Sequence, residues 1–279
     1  MKHIVIVTGS SSGMGREFAF QISADSAADE IWLIARRMDK LQELCRELVD
    51  LRDEGIAAGV RRPLPRAVEL DISGREGAAS FASLLEAEKA ADEQSGGFSV
   101  TMLVNNAGFG TYGPFEETPV ERELSMIDVN CTALTGICGY VLPFMHEGSS
   151  IINTASLASF LPLGNFAVYG ATKSYVLSFS FALAAELRHR RIRVCALCPG
   201  PVSTEFANVA SNGARREVRH GLSAEKVVAH CLKQAKKGKR TAIMSFKWKF
   251  KAAASRFVGR YAGAWFTYTY CKRPHTPQA

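Results

Sequence analysis

Tyr169 is followed four residues later by Lys173, Ser156 stands thirteen residues before the tyrosine, and Asn130 lies further upstream. A phenol, an ammonium, a hydroxyl and a carboxamide are the groups needed to pass a proton to or from a carbonyl oxygen while a hydride moves elsewhere. A phenol with a pKa of about 10 needs roughly 4 kcal/mol of preferential phenolate stabilisation to titrate near 7. On a helix, Tyr169 and Lys173 share one face a turn apart, so the ammonium is expected to supply that stabilisation. Ser156 would hydrogen-bond the substrate oxygen and hold it in place.

Such groups must be carried by elements that bring them together. Apolar runs at 4–7, 31–35, 67–70, 101–104, 150–154 and 192–198 read as strands, with 241–246 as a seventh. Between them, 15–23, 39–53, 76–92, 120–145, 168–189 and 224–236 have helical periodicity. Strand and helix alternating at this spacing predict an α/β fold, a doubly wound parallel sheet, with ligands at the carboxyl ends of the strands. The motif residues fall at those ends.

The first of these ends is a glycine-rich turn from Thr8 to Gly15, directly after Ile4–Val7 and opening a helix. Gly9, Gly13 and Gly15 allow a tight turn and close approach of a pyrophosphate. Ser11, Ser12 and Met14 lie between them, and the helix N-terminus receives the negative charge. With this turn, Asn105-Asn106-Ala107-Gly108, Asn130, Ser156 and Tyr169-x-x-x-Lys173 in order, the chain resembles the classical short-chain dehydrogenase/reductase family over nearly all of residues 1–245.

The resemblance implies a Rossmann fold and a nicotinamide cofactor. Asp71 and Ile72 would clamp the adenine, Asn106, Ala107 and Gly108 would line the ribose, and Pro199, Gly200, Val202 and Thr204 would hold the carboxamide. Asn130 would support a water linking Lys173 to solvent. Ala35 stands where NAD-preferring relatives carry an acid, and Arg36 and Arg37 offer guanidinium forks suited to a 2′-phosphate, so the cofactor is expected to be NADP(H). Ser12 stands where many NADP-preferring relatives place a basic residue. Ala155 replaces a frequent serine, and Leu157-Ala158-Ser159 replaces a stretch that often ends in glycine; neither removes a catalytic group.

At 279 residues and 47% hydrophobic, the chain can bury one α/β core. The first strand begins almost at Met1, and no run of roughly 18 uncharged apolar residues stands out, so a soluble cytoplasmic protein is expected. The seven cysteines are scattered and odd in number, which predicts reduced thiols. Cys195 and Cys198, three apart on a strand, should face opposite ways, and no metal site is expected.

Three segments should cover the reaction centre: Phe109–Phe115, Leu157–Phe166 and Glu205–Leu222. The first two are apolar and favour a hydrophobic carbonyl or alcohol such as a hydroxysteroid or bile acid, with a 3-oxoacyl thioester as the alternative. The third is polar and reads as a mobile lid. From Lys226 to Ala279 there are thirteen Lys and Arg and no acid, against 21 basic and 27 acidic residues in the rest. Within this basic C-terminal extension, taken as residues 247–279 after a catalytic domain of 1–246, Phe250, Ala254, Phe257, Tyr261 and Trp265 would form one helical stripe. Such a stripe suits packing on the same domain, a homodimer or homotetramer contact, or a weak anionic membrane-surface contact. An anionic substrate would be drawn by the same charge. No nucleic-acid module accompanies it. A non-catalytic NADP(H) sensor is the rival from another class.

Overall fold

The computed structural model describes residues 1–93, 96–216, 218 and 221–276. Seven parallel strands form one sheet in the order β3-β2-β1-β4-β5-β6-β7. They are β1 (Lys2–Thr8), β2 (Glu30–Ala35), β3 (Leu64–Glu69), β4 (Phe98–Asn105), β5 (Ser150–Thr154), β6 (Arg193–Leu197) and β7 (Thr241–Ala242). The helices are α1 (Gly13–Asp25), α2 (Met38–Ala57), α3 (Gly74–Asp92), α4 (Val120–Ile127), α5 (Leu134–Val141), α6 (Ala167–Glu186), α7 (Phe206–Ala210), α8 (Ala224–Lys236), α9 (Phe246–Ala254) and α10 (Arg260–Tyr270).

The strands are buried on both faces, as apolar runs rather than strict alternation require. Within β1, Ile4 and Ile6 join a core shared with Phe81 of α3 and Val176 of α6. Val5 and Val7 point the other way, to Phe18 of α1 and Leu44 of α2. Cys195 and Cys198 likewise belong to opposite cores. The chain winds outward from β1 to β3 and then from β4 to β7, so the crevice where ligands bind opens between β1 and β4.

Two expectations are corrected. The seventh strand keeps only two residues because Ser245 takes φ 70° and turns the chain into α9. The single basic stripe is two helices: α9 ends at Ala254 and α10 starts at Arg260, with Val258 extended between them. Phe250, Phe257, Tyr261 and Trp265 are exposed, while Ala252 and Gly263 are buried. The helical run Val120–Phe144 is long and apolar enough, by length and composition, to cross a membrane, although it carries Glu121, Arg122, Glu123 and Asp128. In this fold α5 lies along α3, and α4 lies along α6.

The C-terminal helices lie across the mouth of the crevice. Gly164 donates its N–H to Thr267 Oγ1 at 2.9 Å, and Asn165 Nδ2 donates to the Tyr268 carbonyl at 2.9 Å. Gly200 lies under the Trp248 ring, where a Cβ would come within 2.9 Å of it. Past α10, His275 Nε2 meets Glu117 at 2.8 Å and the Thr276 N–H donates to the Ser211 carbonyl at 3.1 Å.

Candidate active site

The turn after β1 bends through Gly9 and Gly13, both in the left-handed region at φ 65° and 55°. A Cβ on Gly15 would lie 2.0 Å from the Gly9 carbonyl oxygen, so only glycine fits. The N-terminus of α1 has no side-chain cap on Ser12 and no acid in its first turn, leaving its N–H groups and dipole available to an anion. Thr204 comes against Gly13 from the loop after β6. This cradle fits the pyrophosphate of a dinucleotide.

At the end of β2, Arg37 donates from Nη2 to Ser11 Oγ at 3.1 Å and to Glu205 at 3.2 Å. Arg36 is 3.8 Å from Asp71 and largely exposed. Asp71 also accepts from the Ser73 N–H at 2.9 Å, shaping the turn before α3. All the residues expected at the site, except Gly15 and Asn130, line one cavity of about 1700 Å³. That is larger than the roughly 300–1,000 Å³ of a pocket for one small ligand, leaving room for a cofactor and a substrate together.

At the far end of this cavity stand the titratable groups. Ser156, two residues past β5, is extended and caps the short helical turn Leu157–Phe160, its Oγ accepting from the Ala158 N–H at 3.1 Å. Its hydroxyl shares the cavity with the Tyr169 phenol and pulls the phenol's pKa down. Tyr169 and Lys173 are buried one turn apart on α6. Ser159 joins the two elements: its Oγ donates to the Lys173 carbonyl at 2.7 Å and accepts from the Ser156 N–H at 3.3 Å.

Three of these residues make contacts that the sequence does not announce. Lys173 does not turn its ammonium to the phenol. Nζ donates to the Thr154 carbonyl at 2.8 Å and lies 5.7 Å from the Tyr169 ring centroid. Burial lowers the lysine's pKa to about 8, and burial pushes the phenol up; what pulls the phenol down is the Ser156 hydroxyl and then the charge of Arg273. Asn130 sits outside the cavity, on a π-helical turn (Asp128–Ala133) between α4 and α5. Its amide is fully engaged, accepting from the Phe109 N–H at 3.2 Å and donating to the Phe109 carbonyl at 2.9 Å and Thr172 Oγ1 at 3.1 Å. It therefore holds the loop after β4 in place, which is a positioning task. Asn106, too, turns its amide inward, to the carbonyls of Thr8 and Gly9 at 3.3 Å each.

The three covering segments do surround the centre. Phe109, Tyr112, Leu163 and Phe206 pack with Phe166 and Tyr169. In the third segment Phe206–Ala210 is helical and Val202 pairs with Leu222. Residues 217, 219 and 220 of the expected lid lie outside the described residues. Sequence reasoning missed Ser159 as a tie, and missed Trp248 and Arg273, which line the cavity from the C-terminal extension. Periodicity carries no signal for contacts made so far along the chain.

The family described as short chain dehydrogenase matches residues 3–215. Serine 3-dehydrogenase of Rhizobium radiobacter is 31% identical over 220 residues, covering 76% of this chain and 77% of that one. A short-chain dehydrogenase from Sphingobium yanoikuyae, solved with NADPH, superposes with a TM-score of 0.73 at 26% identity over 91% of this chain and 94% of its own. A short-chain dehydrogenase/reductase from Burkholderia phymatum, solved with NAD, has the same TM-score at 22% identity over 100% and 98%. With its seven-stranded parallel sheet, its glycine cradle and its Ser156, Tyr169 and Lys173 at one cavity, the chain belongs to the short-chain dehydrogenase family.

Proposed function

We propose that the protein is an NADP(H)-dependent oxidoreductase that interconverts a carbonyl and a secondary alcohol. The observation that carries this reading is the gathering of Ser156, Tyr169 and Lys173 at one end of a cavity whose other end is an anion cradle. When bound, the nicotinamide supplies or accepts the hydride. Tyr169 donates the proton to the substrate oxygen in reduction and takes it back in oxidation. Ser156 holds that oxygen, and Lys173, tied to Thr154, carries charge behind the phenol. Ala35 at the end of β2 and the exposed Arg36 beyond it support the phosphorylated cofactor.

The aromatic wall of Phe109, Tyr112, Phe166 and Phe206 supports an apolar substrate body, such as a hydroxysteroid or bile acid, ahead of a 3-oxoacyl thioester. NADPH consumption against a panel of these classes, with Tyr169→Phe alongside, tests the reading. Turnover that the variant abolishes is the expected result. No turnover despite NADPH binding would favour a sensing role.

We place this enzyme in the cytoplasm as a homodimer or homotetramer. The exposed Leu124, Ile127, Tyr175 and Phe181 on α4 and α6 support association of copies through that face. Light scattering on Phe181→Asp would detect its loss. The exposed Phe246, Phe257 and Tyr261 among the basic residues of the extension support weak contact with an anionic membrane surface. Equal cosedimentation with anionic and zwitterionic vesicles would remove that reading.

A further inference from the structure

Arg273 follows α10 and reaches back into the cavity beside the reaction centre. Its guanidinium carbon lies 4.5 Å from the Phe166 ring centroid and 5.4 Å from that of Tyr112. Phe166 in turn stacks on Tyr169 at 4.1 Å. The two rings face the guanidinium but give its N–H groups no acceptor. Nη1 is buried with no hydrogen-bond partner, and Arg273 has no ion pair among the described residues. Of the three acids lining the cavity, Asp71 faces Arg36, Glu205 faces Arg37, and Glu121 makes no ion pair with Arg273. Arg215, a second guanidinium on the cavity wall, adds positive charge nearby.

A guanidinium stays charged in a protein, and burying its donors without a partner is costly. Ring contact offsets only part of that cost. An anion bound in the cavity would offset the rest, by a charge-assisted and geometrically matched pair of hydrogen bonds. The anion is not the cofactor's. Arg36 and the cradle stand at β2 and β1, whereas Tyr169 is beyond β5, three strand intervals or roughly 14 Å from β2. We propose that Arg273 anchors a carboxylate of the substrate, so that the carbonyl compound taken by this site has an apolar body and an acidic group. This rests on the reading of the cavity as a carbonyl and alcohol site.

The tail is built to hold Arg273 there. On one side Asn165 grips the Tyr268 carbonyl, and on the other His275 and Thr276 are tied to Glu117 and Ser211. The arginine is thus fixed between two anchors, a preorganised arrangement for recognising an anion.

Phenylpropionate and the isosteric phenylpropionamide, titrated by calorimetry into the full-length protein with NADP⁺ present, test the proposal. The wild type should bind the carboxylate about tenfold or more tightly than the amide, the discrimination of a charged hydrogen-bonded pair. Arg273→Met, which keeps the apolar stem, should bind both equally, with amide affinity within about threefold of wild type. Arg273→Lys, which keeps the charge but not the fork, should keep part of the preference and replaces the Met variant if that one does not fold. Equal binding of the two probes by wild type, no binding of either, or a preference unchanged in the variants would overturn it. NADPH affinity, read by its fluorescence, is measured on each protein. Its absence in wild type would sink the oxidoreductase reading, while the carboxylate preference would still be scored on its own.

Discussion

The ring of Phe166 lies over that of Tyr169, centroids 4.1 Å apart and planes 17° from parallel. Both side chains are buried, and Phe206 closes another side at 5.4 Å. This packing keeps water from the phenol, and burial is the largest of the effects that push its pKa up. Against it work the Ser156 hydroxyl and the Arg273 charge, so the proton affinity of Tyr169 is set by packing as much as by its polar neighbours.

Phe166→Ala should therefore move the phenol's titration to lower pH, because water entering the site stabilises the phenolate. In alcohol oxidation, where Tyr169 must accept a proton, the acidic limb of the pH–rate profile should shift down. The rate plateau should fall about tenfold as the ring loses its orientation. Stability should drop by about 3 kcal/mol, as for loss of a buried phenylalanine. An unshifted limb would mean that Phe166 does not govern the phenol.

Ser159 links the two catalytic elements, bonding the Lys173 carbonyl at 2.7 Å and the Ser156 N–H at 3.3 Å. Ser159→Ala removes both bonds, each worth about 1 kcal/mol. The expected outcome is a fall in kcat of about tenfold with NADPH affinity unchanged within about twofold, because the cradle at Gly9 and Gly13 is untouched. Steady-state kinetics with an NADPH fluorescence titration measure the two separately. Equal losses in both would make Ser159 a general stability residue.

Much of this was legible in the sequence. Continuous apolar runs such as Ile4–Val7 announce strands buried on two faces, and the glycines of Thr8–Gly15 announce a tight turn that opens a helix. Tyr169 and Lys173 were paired by helical spacing alone. What spacing could not reveal is where Nζ of Lys173 goes, since the competing acceptor, the Thr154 carbonyl, belongs to a strand nineteen residues earlier. Asn130 was found as a residue but not as a brace for Phe109, because the π-helical turn that frees its amide has no distinct pattern. The break between α9 and α10 was hidden by a stripe of Phe, Tyr and Trp that read as one helix. Arg273 was hidden by distance, 104 positions from Tyr169.

Lys173 should make stability depend on pH in a definite direction. Burial lowers its folded-state pKa to about 8, below the ordinary value of 10.5. Between those values the unfolded chain holds the proton that the folded chain has released, so stability rises with pH. The gain is fully present above about 10.5 and is lost as pH falls through about 8. Lys173→Met should abolish this gain, on the order of 3 kcal/mol. Urea denaturation of both proteins at pH 7 and pH 10 checks it. Parallel curves would show that the lysine is not desolvated. Catalysis should run the other way, with activity falling above pH 8 as the ammonium is lost.

Arg36 and Arg37 differ in what already holds them, and that difference predicts different effects. Arg37 is bonded to Ser11 and Glu205 across the mouth, so it shapes the cavity whichever cofactor enters. Among the described residues Arg36 has only a long contact with Asp71, at 3.8 Å, and its side chain is 72% exposed, leaving its fork open to a 2′-phosphate beside the end of β2. A charge-assisted pair of this kind is worth about 1.5–3 kcal/mol. Arg36→Ala should raise the Kd for NADPH by about tenfold or more and leave that for NADH within about twofold. Arg37→Ala should weaken both alike. Fluorescence titration of the two cofactors against each variant decides the matter. Equal losses for Arg36→Ala would mean that it does not read the phosphate, since removing a guanidinium that touches only the shared part of the two cofactors cannot separate them.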